Sequence, residues 1–359
     1  MRNTVILDAV RSPIGLKSGK LVGIRPDDLT SEVVKALLER NPDFSKENIE
    51  DVVIGCAFPE GSQGMLISRG VSILSGIPKE SAAKVVNRFC GSAMDAVHQV
   101  SQAIDAGDIS CGLAGGVEDM FGVPMGGFNP DFNPELYENE YYIGMGETAE
   151  NLANELQIAR EEQEEFSINS HKKALRAIKN GNFENEIVPI TFNGETISID
   201  EGPREPDLEK IKSLSPAFDV NGSITPATSS PISIGASALL MMDEKMAQKY
   251  GLSYEFKIIG RSIAGVDWRT MGAGPLPATE KVLKRTGLNI NDIDAIELNE
   301  AFAAQSLYVI KKGEWDIDKI NINGGAIALG HPLGCSGSRI IGTLMNVLKQ
   351  NDLKYGLAT

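Results

Sequence analysis

The chain has 359 residues, which leaves room for about two domains. Hydrophobic residues make up 42% and charged residues 23%, an ordinary globular balance, and Lys+Arg 34 against Asp+Glu 49 gives a net charge of −15. That charge opposes nucleic acid and anionic membranes as partners, but it leaves open small anions held by local donors. Apolar runs such as Ser237-Ala-Leu-Leu-Met-Met242 fall far short of the ~20 residues that span a bilayer. Cys56, Cys90, Cys111 and Cys335 form no C-x-x-C pair, which argues against a disulfide frame or structural zinc. Three histidines argue against a His-rich metal site, so no metal is expected. The expectation is a soluble, reduced, cytoplasmic enzyme.

In chain order, residues 1–10 read as a short strand broken by Asp8, with no signal-peptide core. A helical stretch over residues 30–38 precedes Ile49-Glu-Asp-Val-Val-Ile-Gly-Cys-Ala-Phe58, which reads as a strand. Cys90-Gly-Ser-Ala then opens a helix whose apolar face carries Ala93, Val97, Val100 and Ile104, and Gly112-Leu-Ala-Gly-Gly116 follows as a strand. Over residues 117–240 the composition shifts. Prolines and glycines crowd residues 123–134, an acidic helix covers 159–178, and a proline-broken stretch runs from 201 to 231. This is too long for a loop and predicts an inserted subdomain. Within it, Glu161-Glu-Gln-Glu-Glu165 reads as a solvated helix face.

The first pattern then returns. A helical stretch over 278–284 precedes Ile293-Asp-Ala-Ile-Glu-Leu-Asn-Glu-Ala-Phe302, which aligns without gaps on residues 49–58. Gly334-Cys-Ser-Gly-Ser338 opens a helix bearing Ile340, Leu344, Val347 and Leu348, and Tyr355-Gly-Leu-Ala-Thr359 ends the pattern as a strand. Four elements in matched order predict a duplicated α/β unit with mainly parallel sheets and helices packed on them. The organisation expected is a first half beginning at 1–116, an inserted domain and return to the first half over 117–240, and a second half over 241–359.

Cys90 falls at a strand-to-helix turn, where the positive helix end and its free N–H groups would favour a thiolate and hold an oxyanion. A lone cysteine is more often a buried structural residue. His331 lies in a Gly-rich turn followed by Pro332, and an imidazole there can accept a thiol proton. His98 and His171 lie in helical patterns and read as packing or surface residues. Asn299, at the carboxyl end of a strand, can orient a water or a carbonyl.

Asn87-Arg-Phe-Cys-Gly-Ser92, Asn299-Glu-Ala-Phe-Ala-Ala-Gln305 and Gly324-Gly-Ala-Ile-Ala-Leu-Gly-His-Pro-Leu-Gly334 resemble thiolase signatures. Ala114-Gly-Gly-Val-Glu-Asp-Met120, Met145-Gly-Glu-Thr-Ala-Glu-Asn151 and residues 265–275 extend the resemblance over most of the chain. It implies an α/β thiolase fold, with two βαβαβαββ halves forming an α-β-α-β-α core that carries an inserted loop domain. It also implies a two-stage acyl transfer from 3-ketoacyl-CoA to coenzyme A. Cys90 would be the nucleophile, His331 its activator and oxyanion donor, and Asn299 the residue holding a water in that oxyanion hole. Met145 and Met271 match pocket positions, while Ala301 and Phe302 match the active-site loop. Coenzyme A would be a substrate, with no resident cofactor. The family also suggests a homodimer or homotetramer, and it is compatible with an accompanying hydratase–dehydrogenase subunit.

Gly144, where the acetoacetyl-CoA-forming branch usually has histidine, and Thr228-Ser-Ser-Pro231 resemble the degradative branch. Ile234 stands where an aspartate is common. Thiolases follow the strand resembling residues 355–359 with a Cys-x-Gly motif that supplies an acid/base cysteine and a second oxyanion donor. A chain ending at Thr359 is therefore expected to lose about 10²–10⁴ in rate from the acid/base group alone. The remaining alternatives are an acetoacetyl-CoA-forming acetyl-CoA acetyltransferase and a thiolase-like CoA-binding protein without turnover.

Overall fold

The computed structural model describes residues 2–359. The first half contains β1 (Thr4–Arg11), β2 (Gly15–Leu16), α1 (Pro26–Glu39), β3 (Asp51–Gly55), α2 (Ile67–Leu74), β4 (Ala82–Val86), α3 (Ser92–Ala106) and β5 (Cys111–Asp119). The excursion that follows carries α4 (Pro134–Glu138), α5 (Met145–Leu156), α6 (Arg160–Lys179), the hairpin β6 (Ile190–Phe192) and β7 (Glu195–Ile197), and α7 (Leu208–Ser213). The chain returns through β8 (Ser233–Asp243) to the first sheet and continues into α8 (Glu244–Tyr250) and β9 (Phe256–Lys257). The rest comprises α9 (Pro275–Thr286), β10 (Ala295–Glu297), α10 (Ala303–Gly313), α11 (Ala326–Leu329), α12 (Ser336–Gln350) and β11 (Gly356–Ala358).

The large sheet runs β4-β3-β5-β8-β1-β9, with β2 attached to β8. β3 pairs parallel with β4 and β5, but β8 runs antiparallel to both β5 and β1, so this sheet is mixed rather than mainly parallel. The reason is the excursion, which brings β8 back from the opposite end of the sheet. All eleven residues of β8 are buried. Leu240 and Met242 face the cluster containing Val33, Leu37 and Val52, whereas Leu239 and Met241 face that of Val97, Val100 and Ile104. A strand covered on both faces has no polar face to show, which accounts for its continuous apolar run.

β1 is continuous rather than broken at Asp8. Its register shifts between Ile6 and Asp8, a bulge that turns the Asp8 carboxylate out to Arg40 (3.1 Å) and Asn41 (3.0 Å).

The second half repeats the first at smaller scale. β10 pairs parallel with β11, and Ile320 adds an isolated parallel bridge to Ile296 on the other side. β10, the Ile320 bridge and β11 thus stand where β3, β4 and β5 stand in the first half. Ala295 faces α12 through Leu344 and Val347, while Ile296 faces α10 through Val309 and Ile310. Helix α12 also packs on α3, which makes the two helices the shared middle layer between the sheets. Outside them, α1 and α2 cover the first sheet and α9 and α10 the second, giving five layers.

One ion-paired cluster ties the excursion to this core. Arg11, at the end of β1, donates Nε to Glu186 (2.7 Å) and both terminal nitrogens to Asp200 (2.7 and 2.9 Å), and all three side chains are buried. Glu186 also accepts from Thr343 and Asn346 of α12, and Asp200 accepts from the Ile14 backbone. Removing one partner would leave a buried cation undercompensated. Asp200→Ala should therefore cost about 3–5 kcal/mol. It would be read as a lower urea midpoint at unchanged slope, and a loss below about 1 kcal/mol would rule out this role.

Candidate active site

Strand β4 ends at Val86, and the next residues are held in a tight local web. Asn87 accepts from the Phe89 backbone N–H (2.8 Å) and donates to the Ala57 carbonyl (2.8 Å). Ser92 accepts from the Arg88 N–H and donates to the Phe89 carbonyl. Phe89 adopts φ +46°, a left-handed conformation that costs a non-glycine residue energy and is retained here by those bonds. Cys90 follows in the helical turn Phe89–Gly91 that runs into α3, so its backbone does stand at a helix start.

The expected thiolate does not follow from this position. Burial, followed by the nearby Glu118 carboxylate, pushes the Cys90 thiol up to about 12. Desolvation of the charged form outweighs the helix end, whose effect fades within a turn.

His331 is almost fully buried in the turn after α11. Its backbone N–H donates to Ser233 (3.0 Å), its Nδ1 lies 2.6 Å from the Ser336 hydroxyl, and its Nε2 lies 3.4 Å from Asn299 Nδ2. Ser336 in turn donates to the Pro332 carbonyl, so its oxygen is free to accept from Nδ1–H. An Asn299 N–H faces the other ring nitrogen. This network assigns the Nδ1–H tautomer and leaves a lone pair on Nε2. Burial, with a contribution from Arg339, depresses the imidazole to about 3, so it is neutral and can act as a base.

Asn299 begins the loop after β10, with its backbone N–H bonded to the Thr359 carbonyl (2.9 Å). Its side-chain Oδ1 is buried without a protein partner. Glu300, also buried, accepts from Ser170, Asn321 and the Ile327 N–H, which fixes this loop against α6 and α11. Ala301 and Phe302 come next and pair with the 228–231 segment. The Ala301 carbonyl accepts from Ser230, the Ala303 N–H donates to Thr228, and Phe302 bridges to Ser229.

The structure brings Cys90, His331 and Asn299 into one region. The Phe89–Gly91 turn packs on the Leu333–Cys335 turn that directly follows His331-Pro332, and Asn299 reaches the imidazole. Met145 opens α5 at 44% exposure, and Met271 lies at 39% in the turn Trp268–Ala273 that packs against α5. Both are open enough to contact a ligand. Phe218, which the sequence analysis did not single out, stacks edge-on against Phe302 (5.7 Å) and lies over Gly146, joining these residues to the loop.

Other residues singled out in the sequence have packing or hydrogen-bond partners of their own. Ile234 is fully buried against Gly15 in the apolar core. His171 accepts from the Arg204 N–H, and Cys335 contacts Ser237 (3.2 Å) between the halves. Glu164 departs from the solvated face expected of its helix, because it is buried against Arg160 at 2.7 Å.

Residues 4–245 match the thiolase N-terminal domain and residues 253–359 the thiolase C-terminal domain. The 3-ketoacyl-CoA thiolases of Shewanella loihica and Aliivibrio salmonicida are each 47% identical over 372 residues, covering 100% of this chain and 96% of their own. That of Alcanivorax borkumensis is 46% identical over 374 residues, covering 100% of this chain and 95% of its own. Among solved structures, the Bacillus anthracis acetyl-CoA acetyltransferase superposes with a TM-score of 0.91 at 36% identity, covering 100% of this chain and 95% of that one. Domain matches that together run from residue 4 to residue 359, with relatives 47% identical over the whole chain, place this chain in the thiolase family.

Proposed function

We propose that this chain catalyses thiolytic cleavage of a 3-ketoacyl-CoA, the chain-shortening step of fatty-acid β-oxidation. The observation that carries the reading is the neutral His331, its Nε2 facing the Asn299 amide, in the segment leading into the Leu333–Cys335 turn that packs on the Cys90 turn. A protonated thiol beside a neutral base suits proton transfer coupled to attack.

In the first stage the Cys90 sulfur bonds to the keto carbon as His331 takes its proton. The bond between the keto carbon and the α-carbon then breaks. The α-carbon keeps the electron pair of that bond and takes up the proton that His331 held, acetyl-CoA leaves, and the shortened acyl group remains on Sγ. In the second stage the coenzyme A thiol attacks that thioester, acyl-CoA leaves, and Cys90 regains a proton. A water held by the Asn299 side chain, whose Oδ1 has no protein partner, would together with His331 stabilise the oxyanion formed during attack. Met145, Met271, Phe302 and Phe218 would line the acyl path. Coenzyme A enters as a substrate rather than as a resident cofactor.

Gly144, the N-cap of α5, has no side chain to narrow this path, which favours longer acyl groups than acetoacetyl. The names of the relatives at 47% identity support the same branch. The 36% match to an acetyl-CoA acetyltransferase favours the second reading, acetoacetyl-CoA formation, and comparing thiolysis of acetoacetyl-CoA with longer 3-ketoacyl-CoAs separates the two. Self-association is supported by the outer strand β4. Nearby, Met65 is fully exposed, and Ile73, Leu74 and Phe89 are also open. No described helix is long and apolar enough to cross a membrane.

Incubation with a 3-ketoacyl-CoA should leave an acyl adduct on the peptide carrying Cys90. Cys90→Ser should remove the adduct and lower thiolysis by roughly 10³-fold or more. Binding without an adduct would defeat the acyl-transfer reading. Iodoacetamide labelling of Cys90 in the unliganded protein should keep rising about tenfold per pH unit beyond pH 9. A plateau near pH 7 would instead indicate a standing thiolate–imidazolium pair.

A further inference from the structure

The Glu118 side chain lies at the end of β5, fully buried, at the place where the two halves touch. Its Oε2 accepts from the backbone N–H groups of Ala57 (2.7 Å) and Gly334 (2.8 Å). Its Oε1 accepts from the Phe58 N–H (3.2 Å) and Gln63 Nε2 (2.6 Å), and the Cys56 thiol lies at 3.8 Å. Every group aimed at this carboxyl is a donor, so a proton on it would find no acceptor and the site favours the ionised form. Burial pushes Glu118 the other way, and the four hydrogen bonds oppose that push.

The donors lead to both reacting turns. The Ala57 carbonyl accepts from Asn87, whose oxygen fixes the Phe89 N–H directly before Cys90. Gly334 is in the turn that follows His331-Pro332. One carboxylate oxygen is therefore shared between the support of the nucleophile and the support of the base. The same contact is too close for side chains: a Cβ on Gly116 would overlap the Gly334 carbonyl, and one on Gly334 would lie 2.6 Å from Glu118 Oε2. Backbone approach of this kind leaves alignment to hydrogen bonds.

We propose that Glu118 is a positioning residue for the acyl transfer, holding the Cys90 turn and the His331 turn in register through its shared Oε2. The inference rests on the acyl-transfer reading above. Glu118 touches no reacting atom in this account and acts through Ala57 and Gly334. Its negative charge also bears on the nearby Cys90 thiol, which gives position and charge separable signatures.

Two variants of the full-length protein separate them. Glu118→Asp keeps the charge but withdraws it by one methylene, so the shared bonds cannot both form. Its thiolysis kcat should fall at least tenfold with KM within about threefold, while the pH profile of Cys90 alkylation keeps its midpoint. Glu118→Gln must turn its amide N–H₂ toward one pair of donors and loses the charge. Its kcat should fall about 10²–10³-fold, and the Cys90 alkylation midpoint should move down by about one pH unit, so the thiol reacts faster as turnover slows.

Wild-type kcat in either folded variant would overturn the proposal, as would a Glu118→Gln alkylation midpoint that stays in place or rises. Should Glu118→Gln fail to fold, Glu118→Asp decides alone, and a kcat loss accompanied by a moved midpoint would count against positioning. If the wild-type protein forms no acyl adduct, the acyl-transfer reading fails. The alkylation profiles then still report whether Glu118 governs the Cys90 turn.

Discussion

Helices α3 and α12 share one layer, and everything at the reaction centre depends on how closely they and their leading turns approach. A glycine at 337 lets α12 come against Met94 of α3, and glycines at 116 and 334 let a strand of one half meet a turn of the other backbone to backbone. Such proximity removes water and side chains alike. It leaves a low-dielectric seam in which each remaining polar group must find a fixed partner. Glu118, Ser233, Ser237 and Ser336 meet that demand, and three of these four reach across from the first sheet to the turn around His331.

The seam also explains the electrostatics of the site. In water a cysteine at a helix start gains from the dipole, but inside the seam the loss of solvation dominates and both Cys90 and His331 are driven to their neutral forms. A neutral pair has no standing charge to desolvate further when substrate enters. In the proposed reaction charge would then develop only during attack, beside the Asn299 amide and the imidazole.

Much of this arrangement was legible in the residues. The match between segments 49–58 and 293–302 exposed the duplication because β3 and β10 bury the same alternating positions on both faces. Cys90, His331 and Asn299 stood out because glycine-rich turns and strand ends are where α/β sheets present chemistry. The antiparallel course of β8 was hidden, since a strand apolar on both faces reads the same in either direction. The elevated Cys90 thiol was hidden too. It depends on desolvation in the folded chain and on Glu118, neither of which the residues around Cys90 reveal. Glu118 itself lay in a quoted motif with no role, because a lone glutamate after a glycine pair gives no sign that four donors converge on it. Phe218 was missed for a similar reason, as a single aromatic in a proline-broken stretch shows no period.

The pairing of β1 with β8 sets a schedule for making the protein. β1 leaves the ribosome well before its partner, which is encoded roughly 230 residues later. At about 5–20 residues per second the nascent chain must carry an unpaired, apolar β1 for on the order of tens of seconds. The strand that will lie near the centre of the sheet is, for that interval, an open edge. The bulge at Asp8, which projects a carboxylate from the middle of β1, interrupts the flat pairing surface that another nascent chain would need.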